Sequence, residues 1–78
     1  MQIFILKHSK NRSEESKEEN LGSYDKLNHA IDQLKINFKL LIDNESSLCY
    51  ATLDLSNGTA IVDCSSVIHY LEIIKVNI

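Results

Sequence analysis

The spacing of apolar and polar residues changes character along this chain, and each change predicts an element. Ile3, Phe4, Ile5 and Leu6 are consecutive and of strand-forming type, so Gln2 to His8 reads as a strand that is central or covered on both faces. Ser9 to Gly22 is polar, with Leu21 its one large apolar side chain. Such a segment buries too little to offset the entropy of ordering, and a flexible surface loop is expected over 9–22. From Ser23, a good N-cap residue, Tyr24, Leu27, Ile31 and Leu34 recur at helical spacing with Ala30 filling in. The end of that helix reads in two ways. The stripe continues through Phe38, Leu41 and Ile42, which would give one long helix, yet Ile36, Phe38, Leu40 and Ile42 also alternate as in a strand. The reading taken is a helix from Tyr24 to Lys35, a turn at Ile36 and Asn37, and a strand from Phe38 to Asp43, because Asn37 tolerates the left-handed conformation that ends helices.

The run from Leu48 to Ser66 is the clearest local signal. Asn57-Gly58 between alternating segments predicts a two-residue hairpin turn. That loop pairs Ser56 with Thr59, Leu55 with Ala60, Leu53 with Val62 and Ala51 with Cys64. One face then carries Cys49, Ala51, Leu53, Leu55, Ala60, Val62 and Cys64; the other carries Tyr50, Thr52, Asp54, Thr59, Ile61 and Asp63. Val67 to Ile78 is rich in β-branched residues and reads as a last strand. The expected fold class is α+β, a single domain over 1–78 with an antiparallel sheet of four or five strands and one helix on one face, in the order β-α-β-β-β-β. Leu27, Ile31 and Leu34 would meet Leu53, Leu55 and Val62 in the core.

Composition narrows the function classes. A chain of 78 residues with 44% apolar and 24% charged residues has the make-up of an ordinary small globular domain. Its formal charge of −3, with the lysines scattered, argues against direct nucleic-acid binding. The apolar start spans only Ile3 to Leu6, too short for a signal-peptide core or a membrane span, so no membrane partner is expected. In the register above Cys49 and Cys64 are diagonal neighbours, too far apart for a disulfide. Two buried free thiols in a reducing cytoplasm are therefore expected, with a bridge between them open only to a different register.

Candidate chemistry is sparse. His8, His29 and His69 show no zinc-ligand spacing and there is no Cys-x-x-Cys, so neither metal nor cofactor is expected. Asp54 and Asp63 share the outer face of the hairpin, where a flat sheet offers no cleft to split their pKa values for acid-base work. No phosphate loop and no nucleophilic triad is present. The expectation is a protein that is not an enzyme and has no recess in which imidazoles, thiols or paired acids converge. What remains is a binding surface: the acidic loop residues Glu14, Glu15, Glu18 and Glu19, and Tyr50, Asp54 and Asp63 on the outer face.

An opening strand at Met1–His8, a helix at Ser23–Lys35, the Asn57-Gly58 hairpin and the acidic loop together resemble, in size and layout, small phage-encoded proteins that block bacterial defence, anti-CRISPR proteins among them. The resemblance implies steric inhibition of a larger host protein or complex in the host cytoplasm, without direct contact to nucleic acid. It carries no motif and assigns no residue. The alternative is a small homodimeric structural or regulatory subunit, formed if the C-terminal strand with Ile73, Ile74, Val76 and Ile78 lies at a sheet edge and pairs with a second copy.

Overall fold

The computed structural model describes residues 1–10, 18–44, 49–64 and 67–78. Five strands and one helix follow in the order β1 (Gln2–Lys10), β2 (Glu19–Tyr24), α1 (Leu27–Asn44), β3 (Cys49–Asp54), β4 (Thr59–Cys64) and β5 (Val67–Asn77). The strands form one sheet in the spatial order β2-β1-β5-β4-β3, every neighbouring pair antiparallel. α1 lies across one face and touches all five strands. The fold class is thus α+β, one helix on an antiparallel sheet. The strands are distributed along the chain otherwise than the β-α-β-β-β-β order expects.

Part of the expected 9–22 loop is strand. Ser9 and Lys10 continue β1, and Glu19–Tyr24 pairs with it as β2. Leu6 faces Gly22 and Lys7 faces Asn20, so Leu21 is the extra residue of a bulge. The bulge lets Leu21 join Tyr24 against the core, which gives this polar segment its anchor. Ser23 is therefore a strand residue opposite Ile5 and caps no helix; α1 starts at Leu27, and Ala30 N donates to Lys26 O at 3.3 Å.

The expected strand from Phe38 to Asp43 is helical, and α1 runs for 18 residues. Burial shows why. Ala30 and Leu34 are fully buried and Phe38 and Leu41 pack behind them, a helical stripe, whereas Ile36 and Leu40 of the competing alternation are exposed. Leu6, Leu34, Ala60 and Leu71 form the centre of the core. Leu34 and Leu53 meet there as expected; Leu27 stays half-exposed.

In the hairpin the strand residues keep their expected faces, but Leu55 falls in the turn and is exposed, and the register differs. The turn has four residues, Leu55 to Gly58, and the pairs are Asp54–Thr59, Leu53–Ala60, Ala51–Val62 and Cys49–Cys64. Because side chains alternate with period two, this two-residue slip keeps each strand side chain on its face while changing its opposite partner. Cys49 and Cys64 become directly opposed, with Cα atoms 4.3 Å apart, and they are joined by a disulfide. The expected free thiols are thus corrected.

The C-terminal strand is not an edge. β5 is flanked by β1 along 69–77 and by β4 along 67–72, so it is an inner strand of the sheet order; on its β4 side the ladder ends at Glu72, short of the 73–78 tail expected to pair with a second copy. The edges are β2 and β3. The two ends of the sequence meet: Met1 N donates to Ile78 O at 3.1 Å and Ile78 N to Met1 O at 2.7 Å.

Candidate functional site

Two regions stand out, one on each face of the sheet. On the outer face, strand alternation places Ile3 and Ile5 of β1 opposite Val76 and Ile74 of β5. Tyr70 stands opposite Ile61, and Ile61 in turn opposite Thr52 of β3. Tyr50 and Asp63 face each other on the same side. Among the described residues no element covers this face. Ile3, Ile5, Tyr70, Ile74 and Val76 are half-buried by their neighbours alone, Ile61 is 42% exposed and Tyr50 78% exposed. An antiparallel sheet face left to water normally alternates to polar residues; here the central strands keep apolar ones on both sides.

The acidic candidates do not act as one cluster. Glu14 and Glu15 lie outside the described residues. Glu18 Oε2 accepts from Lys7 Nζ at 3.2 Å, on the outer side of β1. Glu19 reaches the inner side, with Oε2 3.7 Å from His8 Nδ1. Asp54 is bound into the hairpin turn: Oδ1 accepts from Ser56 Oγ (2.7 Å) and Asn57 N (3.2 Å), and Oδ2 from Asn57 Nδ2 (2.7 Å). Those donors, Ser56 first and then Asn57, hold its carboxyl below the usual carboxylate pKa. Asp54 is a turn-former first. Tyr50 and Asp63 remain side by side on the open face, joined there by Glu72 opposite Lys7 and Thr59.

On the inner face the structure brings together two residues that the sequence reading kept apart. His8 and His69 are 9% and 5% exposed, and His8 Nε2 lies 3.0 Å from His69 Nδ1. The rings stack with centroids 5.2 Å apart. Burial lowers the His8 pKa most, His69 lowers it further, and Glu19 opposes both. At neutral pH the His8 ring is accordingly uncharged. A half-open cavity of about 250 Å³ borders the pair, lined by His8, Glu19 and Leu71 from the sheet and Asn37, Leu41 and Asn44 from the helix, among others. The expectation that no imidazoles converge in a recess is overturned. The signal was present in the inward alternation Leu6-x-His8 and His69-x-Leu71, but pairing it required the β1–β5 register. Both ring nitrogens of His8 face protein groups, Nε2 to His69 and Nδ1 to Glu19. Among the described residues no group of three or more His, Cys, Asp or Glu side chains could hold a metal ion, and no helix is long and apolar enough to cross a membrane.

No family model, no curated protein and no solved structure matches this chain.

Proposed function

We propose that this chain is a non-enzymatic protein-binding domain that docks the open face of its sheet on a larger protein. The observation that carries this reading is the apolar row of Ile3, Ile5, Ile74 and Val76 on β1 and β5, uncovered among the described residues and continued by Tyr70, Ile61 and the exposed Tyr50. Asp63 and Glu72 border that row and Lys7 is held by Glu18, so the fitting partner offers an apolar patch rimmed by basic residues. A surface of that kind, acidic and apolar together, suits a protein that occupies a site meant for nucleic acid. This is the steric inhibition of a bacterial defence complex that the resemblance to anti-CRISPR proteins implies. Action in a host cytoplasm would require the hairpin to work as the dithiol, since disulfides seldom persist there.

The test is plasmid interference in bacteria carrying single CRISPR effector complexes, with and without this protein. Relief of interference by the native chain, lost in Tyr50→Ala/Ile61→Asp at unchanged thermal midpoint, is the expected outcome. Undiminished interference across the effector types, or relief that survives the double substitution, refutes the reading.

A further inference from the structure

We propose that the outer edge of β3 is a self-association seam, along which a second copy of this chain adds its own β3 antiparallel across a two-fold axis and joins the two five-stranded sheets into one. The proposal concerns a sheet edge and stands apart from the docking reading, which concerns a sheet face.

The ladder fixes which backbone groups that edge offers. Ile73 N donates to Gly58 O, so by alternation Ala60, Val62 and Cys64 bond to β5. Thr59, Ile61 and Asp63 then bond to β3, and their opposite residues Asp54, Thr52 and Tyr50 turn their N–H and C=O groups toward β4. The Cα separation of 4.3 Å between Cys49 and Cys64 is that of a non-hydrogen-bonded pair and agrees with this phase. Ala51 and Leu53 therefore aim their N–H and C=O groups away from β4, where the sheet order places no described strand. The helix does not overhang them: Ala51 on the inner side, and Tyr50 and Thr52 on the outer side, are exposed.

The two edges of the sheet differ in the devices that discourage pairing. β2 carries the Leu21 bulge and the largely exposed Glu19. β3 keeps a regular register along its whole length and has no charged residue before Asp54, whose carboxylate is engaged in the hairpin turn. One open edge per chain closes a dimer and leaves nothing to extend into a filament.

The strand also complements itself about Thr52. With Thr52 opposite Thr52 of the second copy, Ala51 of each chain exchanges both backbone bonds with Leu53 of the other. Tyr50 then falls opposite Asp54, the two threonines form a favourable cross-strand pair, and no like charges meet. The outer row Tyr70, Ile61, Thr52 runs on into its counterpart, so a single band crosses the seam. A self-complementary strand of this kind fits a second copy better than an unrelated peptide.

Sedimentation velocity on the native chain over a dilution series tests the seam. A dimer that dissociates on dilution is expected. Ala51→Pro removes an outward N–H and no bond to β4, a change that an edge strand tolerates. Thr52→Lys sets two ammonium groups opposite each other on the axis. Each should raise the dimer dissociation constant about tenfold or more with a native circular dichroism spectrum. Ser23→Lys, equally exposed but on β2, should leave it unchanged. Amide hydrogen exchange needs no variant: at Ala51 and Leu53 it should slow as protein concentration rises, while at Thr52, already bonded to β4, it should change less. A chain that stays monomeric throughout, a dimer that survives both substitutions, or exchange at Ala51 and Leu53 that ignores concentration would overturn the proposal.

Discussion

At Gly58 the backbone takes a φ of +66°, a conformation that any residue with a Cβ adopts at a cost of about 1–2 kcal/mol. A Cβ there would also lie 3.2 Å from Cβ of Ile73, whose N–H donates to Gly58 O at 2.8 Å. Gly58→Ala should therefore lower the unfolding free energy by at least about 1 kcal/mol, read as a lower urea midpoint at unchanged slope. No loss would mean that the turn relaxes into another form. The same turn shows how far single residues could be read from the chain. Asn57-Gly58 does mark a hairpin, and the positive φ does fall on the glycine. What the dipeptide does not disclose is that Asp54 reaches forward to bind Ser56 and Asn57, which lengthens the loop to four residues. Asp54, counted among the docking residues on exposure alone, is a local turn-former. The inward positions of His8 and His69 were likewise available from alternation, but their meeting depends on two strands 61 residues apart in sequence.

Among the elements, the β3–β4 hairpin carries a covalent tie across its open end. Cys49 and Cys64 are 15 residues apart, and closing a loop of that size limits the unfolded chain by about 3 kcal/mol in the chain-entropy account. For a domain of this size that is a large share of the whole. Reduction, or the Cys49→Ala/Cys64→Ala pair, should lower the urea midpoint accordingly; an unchanged midpoint on adding reductant would show that the two sulfurs are not joined in solution. The hydrophobic pattern could not have found this bond, since a slip of two residues leaves every side chain that stays in the two strands on the same face. The helix end was open for a related reason: Phe38 belongs to both the helical stripe and the strand alternation, and only the exposure of Ile36 and Leu40 separates the two. β2 stayed hidden because a single bulged leucine in a polar stretch carries almost no periodicity, yet it is enough once β1 supplies a pairing edge.

For the molecule as a whole, the chain announces a one-helix antiparallel sheet but not its strand order, and strand order decides which side chains lie together on each face. With β1 and β5 at the centre, Ile3, Ile5, Ile74 and Val76 become a contiguous outer row. Ile3 to Leu6 is apolar on both sides of β1: one side meets α1, and the other belongs to the outer row. The same strand order joins Met1 to Ile78 by reciprocal backbone hydrogen bonds. A short glycine-serine bridge could therefore fuse them and new ends could be cut between Ser56 and Asn57, giving a circularly permuted chain with the same sheet. Such a permutant should keep the native circular dichroism spectrum, and in it the bond between Cys49 and Cys64 would bracket the break, leaving sulfur chemistry rather than peptide continuity to hold β3 against β4.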